Sequence, residues 1–206
     1  MDIIEAQHHG AEELLEKMRQ VPLKEQPQIK LYESALISLE LIHTNCLHPA
    51  QNYLWLQELR KVQELRWSLL EHGIDMFRLD GYVTYTVRET DESAITYDLY
   101  PPVIEESFEA DGTLALIIND GMHRVYLARL EWIIPQVVYV RGLPKSYPYY
   151  AYPRPQGWEG LDLLADNPDK EQYLKKCHRI RQNKTLYRNF QSVFSNVGGS
   201  RSELRK

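Results

Sequence analysis

The chain has 206 residues, 43% hydrophobic and 26% charged, with a formal net charge of −5. That is the profile of a globular protein with enough core to fold without disulfide or metal staples. It excludes an overtly basic nucleic-acid binder, and two distant cysteines, Cys46 and Cys177, exclude a disulfide scaffold or a zinc site at standard spacing. No stretch nears the roughly 18 apolar residues of a membrane helix, and residue 1 onwards shows no apolar signal core. The expectation is therefore a cytoplasmic protein without a membrane partner.

Residues 4–20 set Ile4, Leu14, Leu15 and Met18 among charged residues and predict a weakly amphipathic helix. Pro22 and Pro27 end it as a linker, so residues 1–30 form a segment able to dock on the core or on a second copy, as in a homo-oligomer. His8 and His9 are too isolated for a metal site. Residues 34–42 fit a helical turn or a strand by pattern alone. Pro49 opens a helical stretch to His72, in which Leu56, Leu59, Val62, Leu65, Leu69 and Leu70 form a stripe, with Gly73 as its C-terminal stop.

Residues 76–99 predict a β-hairpin: 82–87 and 94–97 are rich in branched and aromatic residues around a polar turn. Tyr82, Tyr85 and Tyr97 are candidates for a cross-strand ladder. A strand over 103–107 puts the adjacent Glu105 and Glu106 on opposite faces, and Asp111-Gly112 signals the next turn. Residues 114–118 form an apolar run suited to a strand covered on both faces. Asn119-Asp120-Gly121 is turn chemistry, a short helix follows from Met122, Pro135 interrupts, and 136–140 form the last strand.

A sharp strand-to-helix turn leaves the first helical amides unpaired, and with the helix dipole they favour an anion. His123 and Arg124 in that first turn are unfavourable for the dipole unless something negative compensates. The candidate phosphate- or nucleotide-binding residues are therefore Asn119, Gly121, Met122, His123 and Arg124. The plainer alternative is that Asp120 only caps the helix while Arg124 pairs with a surface carboxylate.

Residues 143–158 combine prolines and tyrosines too densely for long regular structure, and predict an ordered loop over the sheet that lines a pocket. Residues 168–190 predict a helix carrying Tyr173, Leu174, Cys177 and Ile180. From residue 175 onward Lys175, Lys176, Arg179, Arg181, Lys184, Arg188, Arg201, Arg205 and Lys206 face Glu203 alone. That run is a candidate surface for nucleic acid or a protein, or a solvated tail that pairs with the acidic body.

Asp120-Gly121-Met122-His123-Arg124, followed by Ala128-Arg129, resembles the D-G-x-H-R…A-R signature of the ParB/sulfiredoxin-like fold. Upstream, the helix around 61–73 with Ser68 and Gly73, and the strand entry Pro101-Pro102-Val103-Ile104, resemble the same family. The resemblance covers residues 35–142, about half the chain, and favours a strand for the later part of 34–42. It implies an α+β fold: a small mixed sheet with flanking helices in 31–142, an inserted β-hairpin at about 76–99, and a helical, basic C-terminal extension over 143–206.

The resemblance also implies functions. Sulfiredoxin activity is excluded, because Met122 stands where a catalytic cysteine is needed and a thioether is no thiolate. ParB members clamp DNA through a following helix-turn-helix, and 143–206 shows none. Free-serine kinases of the fold use a similar loop on nucleotide phosphates. The leading expectation is a nucleotide- or phosphate-binding protein acting as a Mg²⁺-dependent phosphotransferase on a small molecule. ATP or another nucleotide with Mg²⁺ would be its cofactor, and Asp120, His123 and, by analogy with a base near the opening strand, Glu40 its catalytic candidates. The alternative is a non-catalytic protein- or nucleic-acid-binding module using the hairpin and the basic C-terminus. A nuclease lacks support, since no paired-carboxylate metal motif is evident.

Overall fold

The computed structural model describes residues 1–89, 93–165, 173–180 and 185–197. Its elements run β1 (Ile3–Gly10), α1 (Ala11–Arg19), β2 (Leu36–Leu41), β3 (Leu47–His48), β4 (Tyr53–Trp55), α2 (Leu56–Glu71), β5 (Gly81–Arg88), β6 (Ala94–Leu99), β7 (Val103–Phe108), β8 (Leu114–Asp120), α3 (Met122–Leu130), β9 (Gln136–Arg141) and β10 (Asp162–Leu164). The fold is mixed α+β. A five-stranded sheet has the order β2-β9-β7-β8-β3, a three-stranded sheet the order β1-β5-β6, and β4 pairs with β10.

The two faces of the five-stranded sheet carry different loads, as strand alternation requires. Ile104, Ile118 and Val137 point to one face and meet Leu59 of α2 and Met122 and Val125 of α3. Val103, Val138 and Val140 point to the other, where Leu14 and Met18 of α1 pack with Tyr32, Phe190 and Phe194. Helix α3 lies between the two sheets, because its Leu127 and Ala128 join Leu65, Phe77, Val83, Tyr85 and Tyr97 in a separate cluster. Gly73 closes α2 in the left-handed region at φ 72°, as expected.

Three sequence expectations are corrected. The helix expected over 4–20 begins only at Ala11. Residues before it form β1, antiparallel to β5, with Gly10 opposite Gly81. A two-stranded hairpin is marginal alone, and the third strand completes it, so tertiary pairing overrides weak helical patterning. A Cβ at Gly81 would sit 1.8 Å from the His9 carbonyl oxygen, so this close approach needs glycine. Second, the helix expected from Pro49 starts at Leu56. The backbone of Asn52 is engaged by Lys175 and Asp162, and 53–55 pair with β10.

Third, the described part of 168–190 contains no α-helix. It is an irregular strap that bridges Ala151 to His178 and Leu23 to Arg188. Leu174 and Ile180 of the expected stripe are exposed, while Leu186, Phe190 and Phe194 enter the core. The tyrosine ladder is also smaller than expected. Tyr85 and Tyr97 stack at 5.4 Å, but Tyr82 is on the opposite face and stacks on His9 at 4.2 Å.

One ion pair ties the strap to the sheet. Glu105 is 0% exposed, and Arg188 meets it bidentately at 2.9 and 2.8 Å. The remaining Arg188 N–H groups donate to the carbonyls of Tyr147, Pro148 and Leu186, so all five guanidinium donors are used. Glu105 also accepts from the Tyr32 hydroxyl and from Asn119 Nδ2 at 2.6 Å. Burial is the largest single influence and would lower the Arg188 pKa, but Glu105 together with Tyr32 and Tyr149 outweighs it and holds the group above its ordinary value. Glu106 points the other way and accepts from the Tyr139 hydroxyl at 2.6 Å.

Removing one partner of a buried pair strands the other. Arg188→Met is expected to cost about 3–5 kcal/mol of unfolding free energy. The double variant Glu105→Leu/Arg188→Met is expected to lose less than either single variant. Urea titrations of the three proteins check the order; additive losses would contradict it.

Candidate functional site

The site is built where β8 turns into α3. Between Val103 and Ile104 the β7–β8 register shifts from Asp120 to Ile118, which leaves Asn119 as an extra residue opposite no partner. This bulge re-aims Asn119 toward Tyr32 and Glu105. Gly121 then occupies the left-handed region at φ 81° as the residue preceding α3. A Cβ there would lie 2.9 Å from Arg124 Nη2 and 2.9 Å from Pro102 Cβ, so both conformation and space demand glycine. The head of α3 has no side-chain cap, and the first intrahelical bond runs from Val125 N–H to the Gly121 carbonyl at 3.0 Å. The amides of Met122, His123 and Arg124 precede that bond and lack helical acceptors.

The structure divides the predicted residues among different tasks. Asp120 is not the helix cap; its Oδ2 accepts from Arg124 Nη2 at 3.0 Å. Arg124 is buried, and its other amino group donates to the Tyr100 carbonyl. Arg124 therefore braces the turn through Asp120 and the Tyr100 carbonyl, and it also lines the cavity described next. Met122 buries its side chain in the core, which leaves only its backbone to the site. His123 is half-buried and lines the cavity described next.

Glu40 is elsewhere. It sits on edge strand β2, accepts from Ser38 at 2.7 Å and pairs with Arg141 at 3.4 Å. Leu39, Val138, Val103 and Asp120 form one row across the sheet. Glu40 is thus about three strand spacings, roughly 14 Å, from the turn.

In front of the turn opens a cavity of about 660 Å³. Residues 119–124 form one wall, and Lys61 and Leu65 of α2 form another. Tyr100 and Tyr150 continue it, and the strap closes the far side with Lys176, His178 and Tyr187. Tyr150 and Tyr187 stack at 3.9 Å with 19° between planes. Lys176 Nζ donates to the hydroxyls of Tyr149, at 2.8 Å, and Tyr150. Desolvation first, then the neighbouring Lys175, lowers the Lys176 pKa to about 7, against a smaller opposing pull from Asp120. Burial, then Lys176, also lowers His178. Burial raises Tyr100 and Tyr150 and keeps both phenols protonated at neutral pH.

Sequence reading missed this strap wall. The only signals were the tyrosine density around 147–152 and the Lys175-Lys176 pair, which read as part of a solvated basic run. Of that run, Arg179 is bound to Glu109 at 2.6 Å and Arg188 to Glu105. Arg181, Lys184, Arg201, Arg205 and Lys206 lie outside the described residues. The hairpin is no free arm either: β5 is the central strand of its sheet, and Asp98 N–H on β6 donates to the Ser195 carbonyl.

The ParB CE domain model matches residues 13–162. This chain belongs to the ParB CE domain family. No curated protein and no solved structure matches it. The ParB side of the resemblance carried by Asp120–Arg124 is borne out, and the matched range of the ParB CE domain holds most of α1, the whole five-stranded sheet, α2 and α3, and ends at the first residue of β10. Lys176, Tyr187 and Arg188 fall beyond it. No helix among the described residues is long and apolar enough to cross a membrane.

Two outcomes are expected. Gly121→Ala forces both a positive φ and a clash, and should destabilise the ParB CE domain by about 1–3 kcal/mol in thermal or urea unfolding. Lys176 has a lower pKa folded than unfolded, so the unfolded chain binds more protons between about pH 7 and pH 10. Stability should therefore rise with pH across that window, and Lys176→Met should flatten the rise. An unchanged slope in the variant would contradict the assignment.

Proposed function

We propose that this ParB CE domain binds a nucleotide or another small phosphorylated ligand, with phosphate at the head of α3. The observation that carries the reading is the uncapped start of α3 opening onto a cavity of about 660 Å³ with an aromatic wall. Amides of residues 122–124 and the helix dipole would receive the phosphate oxygens. His123 in the first turn would add a donor, and Lys61 would supply positive charge from α2. The parts of Tyr150 and Tyr187 that line the cavity would offer an aromatic surface for a base.

Phosphoryl transfer to a small molecule is the chemistry that the family resemblance suggests for such a site, and positioning plus charge neutralisation are what it requires. Mg²⁺ would enter with the nucleotide and supply that neutralisation. Among the described residues no three His, Cys, Asp or Glu side chains are grouped to hold a metal. A nucleotide-borne Mg²⁺ needs only one or two protein oxygens, and the partly exposed Asp120 carboxylate fits that need. Arg124 holds Asp120 in place. Glu40 lies too far across the sheet to serve the same site.

Isothermal titration of ATP, CTP, ADP and pyrophosphate, each with Mg²⁺, tests the reading. At least one should bind, and His123→Ala should weaken it about tenfold, the loss of one charge-assisted hydrogen bond. Glu40→Gln should bind as the parent does. Absence of binding by all four at millimolar concentration would overturn the proposal.

A further inference from the structure

Lys176 is an unusual amine. It lines the cavity, and among the described residues its hydrogen-bond partners are two phenols: Nζ bonds the hydroxyls of Tyr149 and Tyr150 and lies 4.6 Å from the Tyr150 ring centroid. No carboxylate among the described residues forms an ion pair with it. The charged and titratable groups around it come from three segments: Asp120 at the end of β8, Tyr149 and Tyr150 after β9, and Lys175 and His178 on its own strap. A neutral lysine has two N–H groups. Here both can be met by the two phenol oxygens, which frees the nitrogen lone pair for attack.

We propose that Lys176 is a nucleophilic amine that captures a carbonyl compound, an aldehyde or a ketone, as an imine in this cavity. The amine must be unprotonated to attack, and near neutral pH burial leaves about half of it so. The lone pair attacks the carbonyl carbon, and the carbon–oxygen π pair moves to oxygen. Tyr150 gives that oxygen a proton and regains one from nitrogen. The resulting carbinolamine oxygen takes the second nitrogen proton and leaves as water while the C=N bond forms. One amine and one carbonyl yield one imine and one water, with no oxidant or reductant. Tyr149 and Tyr150 suit the relay because burial keeps their hydroxyls protonated.

This site stands on the strap and its phenols and goes beyond the nucleotide reading. If both hold, the preferred ligand carries a phosphate as well as a carbonyl. The test uses the full chain with pyridoxal and with pyridoxal 5′-phosphate near pH 7, followed by borohydride trapping and peptide mapping by mass spectrometry. An ordinary lysine, with a pKa of about 10.4, holds under ~0.1% free amine at that pH. Lys176 should therefore acquire the adduct at least about tenfold faster than the other lysines, even after the lower nucleophilicity of a less basic amine, and Tyr150→Phe should slow it.

Faster labelling by the phosphorylated aldehyde supports both the amine and the phosphate locus. Equal labelling of Lys176 by the two aldehydes supports the amine and counts against the phosphate locus. Labelling of Lys176 no faster than the other lysines, with either reagent, overturns the proposal whatever the nucleotide titrations give.

Discussion

The pairing of Glu105 with Arg188 holds the rest of the structure in register. Taking two charges out of water is costly, and their attraction compensates only when geometry is good and every remaining donor and acceptor is met. Here that condition holds on both sides. Arg188 exhausts its donors on one carboxylate and three carbonyls, and Glu105 also receives Tyr32 and Asn119. A strap with little regular structure of its own is thereby fixed against the central strand of the main sheet. The apolar anchors Phe190 and Phe194 follow it into the core.

The same carboxylate reaches the candidate site. Asn119, the bulged residue of β8, bonds Glu105 directly, and Asp120 and Gly121 follow it immediately. The strand-to-helix turn is thus braced twice, from below by Glu105 through Asn119, and from the side by Arg124 on Asp120 and the Tyr100 carbonyl. Arg124 illustrates how a motif residue changes meaning in place. Its charge is used to hold a carboxylate and a backbone oxygen, and the amides of the helix head stay open to the cavity. A site with its frame set before ligand arrives loses less entropy on binding.

The strap supplies the second wall of the candidate site. Family membership rests on residues 13–162, whereas the aromatic and basic wall of Tyr187 and Lys176 comes from later in the chain. In the proposed reading, phosphate recognition belongs to the helix head, and amine chemistry to the strap. The cavity brings them together only because Arg188 docks where it does. Low amine basicity follows from that arrangement: Lys176 is buried among phenol rings beside a neighbouring lysine, and no carboxylate among the described residues forms an ion pair with it.

Much of the site was legible in the residues alone. Branched residues over 114–118, Asn119-Asp120-Gly121 and the prolines at 101, 102 and 135 define β7, β8, the turn, α3 and β9 locally, since short-range sterics decide each of them. The alternation of Glu105 and Glu106 was likewise fixed by the period of a strand. What the sequence could not determine were contacts between segments far apart in the chain. The strand at 3–10 exists because β5 has an edge to fill, and 53–55 leave the helical pattern because β10 arrives beside them. Arg179, Lys176 and Arg188 read as a solvated basic run, and only tertiary structure assigns each to Glu109, to two phenols and to Glu105. Burial is a property of the folded whole, and with it go the pairing of charges and the basicity of an amine.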